Sequence, residues 1–170
     1  MRLYRGKVEP IAQETIHSLA EAGQIEVDDE GEAVLDVEAV LKEYLRLDRQ
    51  IVEEAKNRME VRGLGYGHLG KVKNQVAKER GAPGHEEILP YLLEQILNIL
   101  FHSANVAEIY GTDPELRTTI KTILSKHMDV ETDLDREVRS KIKNLEEGTA
   151  SFEVEYARVM QQIKKRKRLQ

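Results

Sequence analysis

The feature that most constrains this chain is a regular apolar stripe in its first half. Residues 36–62 contain neither glycine nor proline. Apolar side chains recur there at steps of three and four, the spacing of one face of an α-helix, at Val37, Val40, Leu41, Tyr44, Leu47, Ile51, Ala55 and Met59. We therefore predict one long helix, with Asp36 as its N-cap and Gly63 as its end.

Three further elements are predicted in the first half. An apolar stripe from Val8 to Leu19 predicts a helix that starts near Tyr4 and ends at Gly23. After the glycine-rich segment 63–67, a helix beginning at Leu69 is predicted to fold back antiparallel on the long helix. Short apolar segments at 25–27 and 33–35 flank an acidic turn with a glycine, which predicts a small β-hairpin near residues 24–35.

The second half follows the strongest break in the chain, at residues 81–84, Gly-Ala-Pro-Gly. The stretch 88–101 is apolar over most of a helix circumference, so we predict the most buried helix there; it is too short and too polar to cross a bilayer. Thr112 and Pro114 predict the start of a helix that continues to Gly148. A last helix, from about Thr149, is predicted to return along it as a second hairpin.

The two halves, 1–82 and 83–170, contain similar patterns in the same order. Leu47-Asp48-Arg49 matches Leu134-Asp135-Arg136, and Lys56-Asn57 matches Lys143-Asn144 in the same register. We therefore predict an all-α fold in which the halves interlock: a pseudo-two-fold, antiparallel four-helix bundle base with two projecting helical-hairpin arms. The alternative is an irregular helical bundle without a repeat.

The composition limits the functions that are open to the chain. A net charge of -5 argues against whole-molecule attraction to nucleic acid or to an anionic membrane. The absence of cysteine excludes disulfides, a thiolate nucleophile and cysteine-bound zinc. No signal peptide or bilayer-spanning run is visible, so no membrane association is expected and the predicted location is cytoplasmic.

Several segments carry a resemblance to a known family. The opening residues 1–9, Met-Arg-Leu-Tyr-Arg-Gly-Lys-Val-Glu, the segment Ile25-Glu26-Val27 and the paired Leu-Asp-Arg segments resemble the bacterial family of unknown function numbered 507. The likeness extends over nearly the whole chain. It implies a roughly Y-shaped helical protein with an antiparallel four-helix base, two arms and internal pseudo-symmetry. It implies no activity, and no functional residue can be transferred from it.

An acidic segment in the second half is the first candidate site. Asp129, Glu131, Asp133 and Asp135 alternate as the ligands of a calcium loop do. Leu134 stands where that loop needs glycine, and Ser140 stands where it needs glutamate. We interpret the segment as a solvated helical face whose carboxylates pair with nearby arginines.

The histidines are the second candidate. None of the five forms a His-Glu-x-x-His motif, and only His127 lies on an apolar stripe. A half-buried histidine bonded to a neighbour explains His127 better than a metal ligand or a general base, although an enzyme or metal site there stays open as a third hypothesis. We predict no catalytic residue, no metal and no cofactor.

The glycine-rich segment 63–71 superficially matches a phosphate-binding loop. A helix precedes its glycines and Val72 follows Lys71, whereas the true motif follows a strand and continues with serine or threonine. We interpret it as an exposed arm tip, and we predict that Gly65, Tyr66 and His68 contact a partner.

A basic segment near the C-terminus is the remaining candidate, with possible anion contacts at Lys164, Lys165, Arg166, Lys167 and Arg168. Cations are also favoured at a helix C-terminus for structural reasons, and the tail could simply fray. The leading hypothesis is thus a non-enzymatic scaffold or interaction module with a protein partner. The alternative is a nucleic-acid-associated protein that uses this tail, which we do not favour because no aromatic residues interleave the cations.

Overall fold

The computed structural model describes residues 1–170 and confirms an almost entirely helical chain. Its helices are α1 (Val8–Glu21), α2 (Glu30–Arg62), α3 (Leu69–Glu79), α4 (Ile88–His102), α5 (Asp113–Met128), α6 (Glu131–Lys141) and α7 (Ala150–Arg166). Two short strands, β1 (Ile25–Val27) and β2 (Val106–Ile109), complete the fold. Short 3-10 turns lead into α1, α3 and α4.

The base of the molecule is a ring formed by α1, the first part of α2, α4 and α5. Neighbours run antiparallel: the backbone N-H of Arg2 donates to the carbonyl of Met128 at the end of α5, while Gln24, after α1, accepts from Gly111 just before α5. The main core, with 22 buried residues against eight and six in the other two clusters, lies inside this ring. Most of the stabilisation by apolar burial therefore resides in the base.

The two strands link the segment between α1 and α2 to the segment between α4 and α5. They pair antiparallel, with Ile25 opposite Ile109. The small two-stranded element and its strand at 25–27 are confirmed, but the partner strand is β2 and not residues 33–35, which lie inside α2. The Asp29 carboxylate accepts from the backbone N-H of Glu32 at 3.1 Å, so α2 begins at Glu30 and not after Asp36.

Asp36 has a different role from the predicted one. Its carboxylate accepts hydrogen bonds from the Ser103 hydroxyl and, at 2.9 Å, from the Asn105 side chain. These bonds tie the first turns of α2 to the segment between α4 and β2. The prediction that Asp36 caps α2 is wrong, because Asp29 is the N-cap and Asp36, inside the helix, makes a tertiary contact.

The first arm comprises the second half of α2, from Leu47, together with α3. Gly63 ends α2 in the left-handed conformation, with φ of 63°, as predicted. Ion pairs join Lys73 to Asp48 at 2.9 Å and Arg80 to Glu54 at 2.6 Å. α3 thus packs against the second half of α2, and its antiparallel direction stays a prediction. A small apolar core lies between the two helices: Ile51, Ala55, Met59, Val72, Val76 and Ala77.

The second arm is formed by α6 and α7, and Thr149 caps α7 by accepting from the N-H of Phe152. The predicted continuous helix from Thr112 to Gly148 is wrong, since the chain breaks at residues 129–130 and α6 ends at Lys141. Met128 is fully buried in the base, whereas Leu134 is buried in the core of the second arm. The break separates two helices that serve different cores.

The paired Leu-Asp-Arg segments occupy comparable positions. Leu47 packs against the core of the first arm, and Leu134 lies in that of the second. Asp48 pairs with Lys73 on α3, and Asp135 accepts from Tyr156 on α7. Each aspartate thus connects its helix to the next helix of the arm. These positions agree with the duplication, which stays a prediction, as does the division into halves 1–82 and 83–170.

Candidate binding surfaces

The tip of the first arm brings together the residues predicted as a partner contact. Tyr66 and His68 form a single 3-10 turn after Gly65 and lead into α3. The Tyr66 side chain is 85% exposed, and neighbouring Val61, at the end of α2, is 88% exposed. A Cβ added at Gly65 would meet no atom within 4 Å. The tip therefore presents an aromatic ring and an aliphatic side chain to solvent.

The basic tail does not form one free cationic surface. Lys167 lies 2.7 Å from the carboxylate of Glu137 on α6, and Arg166 donates to the same carboxylate. These two contacts hold the pKa of Glu137 below its usual value, with the larger effect from Lys167. Lys165 and Arg168 form no ion pair. Within residues 164–168, some cations are therefore engaged in ion pairs with the fold and others are unpaired.

The end of the chain is anchored. Leu169 is buried with 4% exposure in the core of the second arm, beside Tyr4. The backbone N-H of Gly6 donates to the Leu169 carbonyl at 3.4 Å. Arg168 adopts the left-handed conformation, with φ of 54°, where the chain turns inward. The frayed tail that the sequence left open is therefore not what the structure shows.

A cleft of about 850 Å³ opens where this anchored tail meets the N-terminal segment and the middle of α2. We call it the junction cleft. Its cationic side chains are Arg2, Arg5, Lys42, Arg46, Arg49 and Lys164, and its acidic side chains are Glu9, Glu38 and Asp48. Three segments that are distant in sequence thus contribute cations to a single concave surface.

Only some of those charges are neutralised by ion pairs. Lys42 pairs with Glu38 at 2.7 Å, Arg46 pairs with Glu43, and Asp48 pairs with Lys73. The cations left without an ion pair are Arg2, Arg5, Arg49 and Lys164, and Glu9 is the one lining carboxylate without one. The unpaired charge of the side chains in the junction cleft is therefore positive.

Two of these cations, Arg2 and Lys164, lie near the ring of Tyr4. The Arg2 guanidinium is 5.1 Å and the Lys164 ammonium 5.3 Å from the centre of its ring. Burial lowers the pKa of Lys164, and the positive charge of Arg2 lowers it further. The buried ring thus holds two cations near each other, although they repel.

His127 lies in a contact between α1 and α5. Its Nε2 atom is 2.5 Å from Glu14 Oε2, and the Lys126 ammonium is 2.9 Å from Glu14 Oε1. The hydrogen bonds from Lys126 and then His127 hold the pKa of Glu14 below its usual value. With a side chain only 11% exposed, His127 has the geometry of a half-buried histidine bonded to a neighbour.

The acidic segment pairs with arginines, as its sequence indicates. Asp135 lies 3.0 Å from Arg139, and Asp133 lies 3.5 Å from Arg136. No three or more His, Asp or Glu side chains are grouped as a metal site requires. Arg139 also reaches Glu147 at 3.1 Å, so it connects α6 with the turn before α7.

Together these features define a small helical protein with a four-helix base, two arms and a cationic cleft between the base and the second arm. The chain belongs to the family described as protein of unknown function (DUF507), whose model matches residues 1–169. The resemblance in sequence is thereby confirmed. No curated protein matches the chain significantly. None of its helices combines the length and the apolar content that crossing a membrane requires.

Proposed function

We propose that this protein is a non-enzymatic interaction module that binds a protein partner through the tip of its first arm. One observation carries the proposal: Val61 and Tyr66, which precede and follow the Gly63 turn, are 88% and 85% exposed. Tyrosine supplies a large contact area with few rotatable bonds, and it is enriched among residues that dominate binding energy.

The construction of the arm supports this role. The core around Ala55 and Val76 and the Arg80–Glu54 ion pair fix α3 against α2. Arg58 adds bonds of 2.5 Å to Glu54 and 2.6 Å to Glu79. Because the arm is held below its tip, a partner meets a surface that is already ordered, which lowers the entropic cost of association.

The nucleic-acid alternative receives less support. Two of the five tail cations, Arg166 and Lys167, are engaged by Glu137, and Lys164 faces the junction cleft. A phosphate backbone would have to compete with these contacts. We retain as expectations a bacterial origin, which the sequence resemblance implies, and a cytoplasmic location.

The arm-tip proposal is tested by affinity purification from the native cell with the full-length chain as bait. The double variant Val61→Ser/Tyr66→Ala is compared with Val154→Ser, which removes an apolar side chain that is 66% exposed on the second arm. We expect the tip variant to lose a specific partner that both the wild type and the Val154→Ser control retain. Equal recovery of all proteins by the three baits would contradict the proposal, and thermal melting verifies that each bait is folded.

A further inference from the structure

We propose that the junction cleft binds a small anionic ligand that carries two or more phosphate groups. The cleft is separate from the arm tip, and no part of the proposed partner contact lines it. Its volume of about 850 Å³ falls within the range of sites that enclose small molecules.

The charge of the cleft is the first argument. Arg2, Arg5, Arg49 and Lys164 lack ion pairs, and Glu9 alone among the lining carboxylates is free to oppose them. The whole chain carries a net charge of -5, so the unpaired charge of the cleft is opposite in sign to the charge of the protein. A concave surface with unpaired charge of one sign concentrates ions of the other sign.

The chemistry of the cations is the second argument. Three are arginines, whose planar guanidinium groups bind phosphate oxygens with two parallel hydrogen bonds. The fourth, Lys164, is half-buried beside Tyr4 and faces the repulsion of Arg2. An anion placed between Arg2 and Lys164 would relieve that repulsion and compensate the lost hydration of the ammonium group.

The shape and surroundings favour a small ligand over a polymer. Buried Leu3, Val8 and Leu169 line the cleft as well, so apolar side chains delimit its cationic part. Outside the cleft, Lys73 is engaged by Asp48, and Arg166 and Lys167 are engaged by Glu137, whereas Lys165 and Arg168 are unpaired. An extended polyanion is favoured by a continuous row of free cations, and the pairing of Arg166 and Lys167 with Glu137 interrupts such a row on the tail.

Isothermal titration calorimetry with inorganic tripolyphosphate, in a phosphate-free buffer at low salt, tests the proposal. We expect saturable binding of one ion per chain that weakens as salt is added. Arg49→Gln and Lys164→Gln should each weaken binding about tenfold, because each removes one charge-assisted contact. Arg49 is exposed, and glutamine keeps the aliphatic part of its side chain, so folding should be preserved; circular dichroism checks this for both variants.

The matched control is Arg136→Gln, which makes the same change of charge on α6 at a side chain that is 76% exposed and outside the cleft. It should bind tripolyphosphate as the wild type does. The absence of saturable binding, or an equal loss in Arg136→Gln, would overturn the proposal. So would tighter, Arg49-dependent binding of a single-stranded oligonucleotide or of a glutamate-rich peptide, since either would identify a polymer as the occupant. The tip variant Val61→Ser/Tyr66→Ala should leave the titration unchanged, so the two proposals fail independently.

Discussion

The phenol of Tyr156 on α7 donates a 2.6 Å hydrogen bond to Asp135 on α6. Asp135 also accepts from Arg139 at 3.0 Å, and the Arg139 guanidinium lies 5.7 Å from the ring centre of Phe152. The bond from Tyr156 is the main cause that lowers the pKa of Asp135. Burial first, and then Asp135, raise the pKa of Tyr156 to about 12. The aspartate of the second Leu-Asp-Arg segment thus connects α6 with α7.

Replacing Tyr156 with phenylalanine should therefore destabilise the second arm in a pH-dependent way. At pH 7 we expect the free energy of unfolding to fall by about 1 kcal/mol, because the carboxylate loses a hydrogen bond. The lowered pKa of Asp135 means that this stabilisation is present above the unfolded-state pKa and is lost as pH falls through the folded-state pKa. Urea titrations at pH 7 and in acid should show the difference shrinking. Tyr66→Phe, at a solvated ring, should change stability little at either pH.

The Glu14 contact should behave similarly in the base. Glu14→Gln is expected to lower the free energy of unfolding by about 1 kcal/mol at pH 7, since Lys126 and His127 lose their ionised acceptor. Because the pKa of Glu14 is lowered in the fold, the loss should diminish as pH falls through that pKa. Glu21→Gln is the opposite control. It removes a carboxylate from the C-terminal turn of α1, where negative charge is unfavourable, so a small gain is expected. A loss of the same size in both variants would refute this account.

Local signals in the sequence were sufficient where one residue determines one helix end. Gly63 ends α2 in the left-handed conformation, and Thr112 with Glu115 forms the capping box that starts α5. The apolar stripes likewise identified the buried faces, including fully buried Leu41 and Ile96. Such features depend on neighbours within one or two turns, which is why periodicity and capping rules could find them.

Non-local contacts decided the features that the sequence could not predict. Ile25 pairs with Ile109 across most of the first half of the chain and the α4 helix, so no pattern within residues 24–35 indicates the partner strand. The break after Met128 contains no glycine or proline; there the Arg2 N-H binds the Met128 carbonyl in place of a continuing helix. The position of α3 against α2 involves ion pairs such as Arg80–Glu54 that periodicity does not encode.

The candidate sites also differ in whether local sequence or the folded chain brings their residues together. Only Gly67 separates Tyr66 from His68, so their common place at an exposed tip could be predicted from the glycines around them. The junction cleft could not, because Arg2, Arg49 and Lys164 approach each other only in the folded chain. The basic tail was overestimated as a free surface, since nothing in the sequence links Arg166 to Glu137.

The two leucines of the repeated segments should differ in their contribution to stability. Leu134 is 1% exposed in the core of the second arm, so Leu134→Ala should cost about 2–5 kcal/mol through lost burial and a cavity. Leu47 is only partly buried against the core of the first arm, and Leu47→Ala should cost distinctly less. Chemical denaturation of both variants measures the difference. Equal losses would show that the two arms bury this position to the same extent in solution.

Gly6 determines how the chain termini meet, and its replacement should release the tail. A Cβ at Gly6 would overlap the backbone carbonyl oxygen of Arg168, and backbone atoms cannot rotate away as a side chain can. In Gly6→Ala we therefore expect Leu169 to leave its buried position and trypsin to cut more rapidly after Lys164 to Arg168. The released tail would also open one wall of the junction cleft, so tripolyphosphate binding should weaken. Gly65→Ala is the matched control, because its Cβ meets nothing within 4 Å. Wild-type trypsin resistance in Gly6→Ala would mean that the tail does not dock against the N-terminal segment in solution.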